Sequence, residues 1–188
     1  MMDRFTKENL PALFEALRDV FTAQREALIA LDGKVGDSDL GITMNKAFIA
    51  AYESVRNNAA DPIGKTLQLA GMAVAKAAPS TMGTLVATGF MRGGKAQLGD
   101  KTLLDVLSPI AVSLESSSAS NSSLADALEH AAQAARDGLE ATKRMMAQHG
   151  KAACFQEKTV GLQDAGATVG VLMIETMHAY AVQSRSNT

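Results

Sequence analysis

Leu10, Phe14, Leu17, Phe21, Leu28 and Leu31 recur at helical spacing, and this periodicity limits the possible folds more than any other feature of the chain. It predicts one long amphipathic helix ending at Asp32-Gly33, with Glu15, Arg18, Asp19, Arg25 and Glu26 on a solvated outer face. The same period returns further on. Gly41 to Asn57 reads as a second helix, with Met44, Phe48, Ala51 and Val55 on one side. Asp61-Pro62 opens a third, a capping side chain followed by Pro at the first helical position, and Pro79 stops it after Ala78. A polar turn from Pro79 to Thr84 precedes an apolar helix from Leu85 to about Arg92, and Gly93 to Lys101 is a loop. Thr102 is placed as the cap of a helix carrying Leu103, Leu107, Ile110 and Leu114, kinked at Pro109. Ser116 to Ser123 reads as a polar connector, the least ordered part of the chain on composition. Leu124 to about Gln148 is an Ala-rich helix with Gly150 as its cap. Lys151 to Gln163 is irregular, and Asp164-Ala165-Gly166 opens a last helix to about Gln183. The fold class is all-α, an antiparallel bundle or closed ring of amphipathic helices over a single domain, 1–188.

Composition agrees with this and excludes several functions. Apolar residues make up 47% and aromatics 4%, with no Trp, so the core is aliphatic and suits helices better than sheets. A net charge of −2 and so few aromatics give no basis for binding nucleic acid. The single cysteine, Cys154, excludes an internal disulfide and suits a reducing compartment. The first residues lack the apolar core of a signal peptide, and no apolar run is expected to reach membrane-spanning length. The expectation is a soluble, cytoplasmic protein with no nucleic acid and no membrane among its partners.

The stretch from Leu31 to Met44 carries the chemistry. It sets Asp32, Asp37 and Asp39 among glycines at 33, 36 and 41. On a continuous helix Asp32 and Asp39 would share a face and Asp37 would point elsewhere, but the glycines let the chain fold back so that all three converge. Converged carboxylates repel unless a cation neutralises them, and an all-oxygen set favours Mg²⁺ or Ca²⁺ over zinc. From spacing alone a solvated acidic turn fits equally well. This loop, Ser80-Thr81-Met82-Gly83, Lys101-Thr102 and Asp164-Ala165-Gly166 all lie at predicted helix starts, where free N–H groups suit phosphate.

Other motifs fail. Read as an EF-hand loop from Asp37, the chain has Ile42 where the turn glycine belongs and Phe48 in place of the bidentate Glu. Gly89 with Gly94-Lys95 has phosphate-loop spacing, but Ala96 lacks the hydroxyl for Mg²⁺ and no strand precedes it. His130, His149 and His178 are far apart and read as surface or boundary residues. Cys154 has no nearby His and reads as a buried thiol, and the helix methionines read as core filler.

Four blocks in order then point to a family. Leu31-Asp32 with Gly36-Asp37-Ser38-Asp39-Leu40-Gly41-Ile42-Thr43-Met44 resembles the L-D-x₃-G-D-x-D-H-G-x-N-M signature of the nucleotide-binding L subunit of dihydroxyacetone kinase. Thr81 to Leu85, Gly99 to Asp105 and Gly161 to Thr168 match further blocks of that family. The resemblance implies a barrel of seven or eight antiparallel helices with the nucleotide at one rim. It implies that Asp32, Asp37 and Asp39 hold two Mg²⁺ ions on the phosphates of ADP or ATP. Leu40, Gly41, Ile42 and Thr43, with Thr81 and Met82, would contact the phosphates. Gly94, Leu103, Lys151 and Asp164, Ala165 and Gly166 would surround the rest of the nucleotide. The partner it implies is a separate K subunit that binds a small ketose covalently through a histidine, and a phosphocarrier protein is a possible second partner. No catalytic side chain beyond the metal site is expected here.

The chain departs from the family pattern at specific places. The signature His is Leu40 and its Asn is Thr43. Gly-Gly-x-Ser-Gly reads Pro79-Ser80-Thr81-Met82-Gly83, Asp-Pro-Gly reads Asp164-Ala165-Gly166, and an expected Arg is Lys151, which lacks the planar fork. Between Arg92 and Gly99 the chain is shorter than the pattern by roughly one helix with its loops. The expected function is the Mg-nucleotide-binding subunit of a small-ketose kinase, active only with its partner. The alternative is a non-catalytic or regulatory relative.

Overall fold

Every regular segment of the computed structural model, which describes residues 5–80, 98–149 and 151–186, is helical, and no strand occurs among the described residues. In chain order the elements are α1 (Leu10–Ala23), α2 (Arg25–Asp32), α3 (Leu40–Asn57), α4 (Ile63–Ala77), α5 (Leu104–Ala119), α6 (Leu124–Thr142), a 3₁₀ helix (Lys151–Thr159) and α7 (Ala165–Ser186). The all-α reading of the periodicity holds. The expected helix from Leu85, and Gly150 as a cap, lie outside the described residues.

The helices fall into two compact units, Phe5–Lys95 and Ala96–Thr188. In the first, α3 packs against α1, α2 and α4. Leu10, Leu13, Phe14, Leu17 and Phe21 form the buried face of α1, at the three- and four-residue spacing that one helix face requires. Phe21 stacks on Phe48 with ring centroids 4.1 Å apart, and both rings are buried. Each such ring stabilises the fold by roughly 1.5–3 kcal/mol on burial. Gly41 makes the approach of α3 to α2 possible, because a Cβ there would lie 2.0 Å from the Arg25 carbonyl oxygen.

Two expectations in this unit need correction. The long first helix is interrupted at Gln24, which has φ −87° and ψ 1° and serves as the C-cap of α1 and the N-cap of α2. Apolar spacing continues across the break, so periodicity alone does not register it. Pro62 caps α4 rather than opening it, since its ψ of 142° is not helical. Asp61 pairs with Lys65 instead of capping.

In the second unit, α6 packs against α5 and α7, and α5 also meets α7. Pro109 lies inside α5 and cannot donate to the Asp105 carbonyl one turn back. Gly138 of α6 lies against that same carbonyl, where a Cβ would come within 2.6 Å of the oxygen. Gly170 of α7 likewise admits Leu103 and Val106.

Ser116 to Ala119 belong to α5, so the polar connector begins only at Ser120. Serine is neutral enough in a helix to extend one that packing already holds, and Ser117 is buried. The Ala-rich helix α6 ends at Thr142 rather than Gln148. There Thr142 Oγ1 accepts from the Asp164 N–H at 3.2 Å, and the Gly161 N–H donates to the Lys143 carbonyl at 2.7 Å. These long-range bonds turn the chain where local propensity would continue the helix.

Cys154 is exposed, contrary to the buried thiol expected, because Thr159 is the buried residue of its 3₁₀ helix. Met44 is core, as expected, but Met72 and Met146 are exposed. His130 and His149 are exposed and His178 is half-buried, which agrees with their surface or boundary reading. α7, at 22 residues, is long and apolar enough by length and composition to cross a membrane, so an apolar run of that length does exist. It packs against both α5 and α6, with Ala167, Val169, Ile174 and Ala181 buried, as a core helix does.

Candidate metal and nucleotide site

Asp32 is the last residue of α2 and Asp39 the N-cap of α3, so two helix ends present the acidic loop. Carboxylate oxygens of Asp32, Asp37 and Asp39 lie within 4.8 Å of one another. The backbone explains how. Gly36 N–H donates to the Asp32 carbonyl at 2.6 Å, closing a turn directly after α2. No side chain fits at Gly36, because a Cβ would sit 2.1 Å from Asp32 Oδ1. Ser38 then takes a left-handed φ of 63°, and the chain reverses between the two remaining aspartates. Asp32 Oδ2 accepts from the Asp39 N–H at 3.1 Å and the Leu40 N–H at 3.3 Å, tying the loop to the start of α3.

Like charges at this range repel by about 1 kcal/mol per pair in bulk water and by about 3–4 kcal/mol at an effective dielectric of 20. Asp37 and Asp39 are exposed and Asp32 half-buried, so solvent reaches the cluster and a cation has open access. Mg²⁺ holds oxygens at about 2.0–2.1 Å and usually combines a few carboxylates with water and phosphate. Three clustered carboxylates at a helix start have the donor chemistry and spacing for that arrangement. Among the described residues, this is the group of acidic, His or Cys side chains close enough to share a metal.

Leu40 and Thr43 are buried, so their side chains point into the first unit's core. Their N–H groups are already donated, that of Leu40 to Asp32 Oδ2 and that of Thr43 to the Asp39 carbonyl at 2.8 Å. Gly41 is buried and Ile42 exposed, and both lie in the first turn of α3, where N–H groups have no intrahelical acceptor. Thr81, Met82 and Gly94 lie outside the described residues.

The other expected residues belong to the second unit. Leu103 is buried against α7. Lys151 is exposed at the start of the 3₁₀ helix. Asp164 caps α7, its Oδ2 accepting from the Ala167 N–H at 2.7 Å. Its carboxyl is raised from the ordinary 3.8 to about 6, chiefly by burial. The Ala167 N–H and the Lys101 ammonium oppose that rise, and Asp105 adds to it.

Lys101, expected at a helix start suited to phosphate, and Asp105, expected only as part of a matched block, are both buried. Asp105 accepts from the N–H groups of Gly99 at 2.6 Å and Thr102 at 2.7 Å, and so shapes the turn before α5. Lys101 Nζ donates to the carbonyls of Met145, Thr159 and Leu162. The available signal was a run of charged residues, Asp100-Lys101 and Asp105, inside an otherwise apolar helix start.

The sequence profile of the DAK2 domain matches residues 34–96 and 91–179. The chain belongs to the DAK2 domain family. The two matched stretches overlap at residues 91–96. This DAK2 domain is 31% identical to the ADP-binding subunit DhaL of the PEP-dependent dihydroxyacetone kinase of Escherichia coli, over 85% of this chain and 90% of that protein. It is 30% identical to the L-erythrulose kinase of Pectobacterium atrosepticum, over 89% of this chain but 34% of that protein. Its fold matches the crystal structure of the C. freundii dihydroxyacetone kinase in complex with AMP-PNP and Mg²⁺, with a TM-score of 0.69 and 20% identity, over 95% of this chain and 35% of that one. The DAK2 domain thus spans most of a free-standing subunit and about a third of the longer kinases. Its relatives are kinases or kinase subunits by name.

Proposed function

We propose that this DAK2 domain acts as one unit over 1–188, the Mg-ADP/ATP-binding subunit of a cytoplasmic dihydroxyacetone-type kinase. In this reading it supplies the phosphoryl group to a small ketose held on a separate K-like subunit. The observation that carries the reading is the convergence of Asp32, Asp37 and Asp39 at the start of α3. The names of the E. coli subunit and of the kinase crystallised with AMP-PNP and Mg²⁺ support it.

Bound Mg²⁺, two ions in this proposal, would neutralise phosphate charge and align the transferred group. The chain's own residues set the stage for that. Asp32 holds the loop against α3, and Asp37 and Asp39 complete the oxygen set. First-turn N–H groups at Gly41 and Ile42 donate to phosphate oxygens, with Thr81 and Met82 assigned to the same group by the resemblance. Gly94, Leu103, Lys151, Asp164, Ala165 and Gly166 are assigned to the rest of the nucleotide on the same ground. Phosphoryl transfer depends on positioning and charge neutralisation, so the chain needs no nucleophile of its own. The PTS dependence in the name of a Lactococcus lactis DhaL relative favours a phosphocarrier protein that recharges bound ADP.

A second reading, a nucleotide-binding relative without catalysis, draws on Leu40, a buried apolar side chain where the signature carries His. Calorimetric titration of Mg-ADP into wild type and Asp37→Ala tests the first step. The expected result is binding by wild type that the substitution abolishes. No binding by wild type, or unchanged binding by the variant, overturns the proposal. Adding a K-type subunit with three- and four-carbon ketoses then separates the readings, since binding without turnover favours the second.

A further inference from the structure

Lys101 is buried, yet its ammonium is directed at three backbone carbonyls, Met145 at 3.2 Å, Thr159 at 2.5 Å and Leu162 at 2.7 Å. An ammonium has three donors, and all three are used. The residue reaches this position from a left-handed backbone with φ 59°, a conformation that a lysine adopts at some cost. Its acceptors lie before, at the end of and just after the 3₁₀ helix Lys151–Thr159. One buried charge therefore gathers the whole connection between α6 and α7.

An aliphatic side chain would fill this space without the cost of burying a charge. What the ammonium adds is direction, because it fixes three carbonyls relative to one another. The segment so fixed carries Lys151 and leads into Asp164-Ala165-Gly166. Asp164 is also the carboxylate whose field acts on Lys101. Thr159 strengthens the same arrangement, its Oγ1 accepting from the Ala147 N–H at 3.0 Å and donating to the Gln156 carbonyl at 2.6 Å.

We propose that Lys101 is a positioning residue for the nucleotide, holding the connection from Met145 to Leu162 so that Lys151 and the start of α7 meet the nucleoside part of ADP. This rests on the nucleotide reading above. It makes a selective claim: loss of the ammonium weakens recognition of the nucleoside and spares that of the phosphates at the aspartates.

The test titrates Mg-ADP and Mg-pyrophosphate into the full chain as wild type, Lys101→Met and Lys101→Arg, with folding followed by circular dichroism. Lys101→Met is expected to bind Mg-ADP at least about tenfold more weakly, the size of one lost hydrogen bond to a charged group. Mg-pyrophosphate has no nucleoside to misplace, and its affinity is expected to stay within about twofold of wild type. Lys101→Arg keeps the charge but cannot aim one nitrogen at three carbonyls, and it decides by the same criterion if Lys101→Met does not fold. Retained ADP affinity in a folded variant, or an equal loss of both ligands, overturns this inference alone. Failure of wild type to bind Mg-ADP overturns the nucleotide reading and this inference with it.

Discussion

The backbone N–H of Asp39 donates to Asp32 Oδ2 at 3.1 Å, so one carboxylate of the acidic cluster holds the backbone that carries another. Asp32, half-buried, thus has a structural part beside the ligating one proposed for it, while Asp37 and Asp39 are exposed. Asp32→Ala relieves carboxylate repulsion as Asp37→Ala does but also removes this acceptor, so it is expected to be about 1 kcal/mol less stable than Asp37→Ala and to abolish metal-dependent nucleotide binding. Asp37→Ala is likewise expected to abolish that binding. Urea unfolding of the metal-free variants, paired with calorimetry, checks the difference.

Gly36 and Gly41 serve the site through the absence of a side chain. At Gly41 a Cβ would collide with the Arg25 carbonyl, and at Gly36 with Asp32 itself. Gly41→Ala is expected to destabilise the fold by about 1–3 kcal/mol, because backbone must shift. Gly36→Ala is expected to displace the Asp32 carboxylate and weaken metal binding. Mn²⁺ titration by electron paramagnetic resonance reads the second effect, and thermal denaturation the first.

Asp164 gives the fold a pH dependence of known sign. A carboxyl raised to about 6 binds more protons folded than unfolded, so its contribution to stability falls as pH rises from about 4 to about 6 and is flat above. The change is on the order of 2–3 kcal/mol. Asp164→Asn is expected to remove that slope. The stability difference between wild type and variant, measured by urea unfolding at pH 4, 5, 6 and 7, carries the result.

Nucleotide binding is also expected to appear as stability. At a free Mg-ADP concentration of about 100 Kd, the folded state gains about 2.7 kcal/mol. Chelation of Mg²⁺ should remove this gain in wild type, and Asp37→Ala should show none. Differential scanning calorimetry with and without EDTA makes the comparison.

The residue sequence by itself determined the helical class and the start of α3 and α7, and it set three aspartates in one glycine-containing loop. Apolar spacing, Asp39 and Asp164 at helix starts, and glycines among aspartates are local signals, and local physics reads them. The tertiary structure decided the rest. α6 stops at Thr142 because Asp164 and Gly161 come from far along the chain to bond it, and no local preference encodes that encounter. Lys101 looks like a surface lysine until three carbonyls from positions 145 to 162 surround it. The three carboxylates come within 4.8 Å because Gly36 folds onto Asp32 and Ser38 reverses the chain. Spacing alone does not fix that convergence, and backbone packing does.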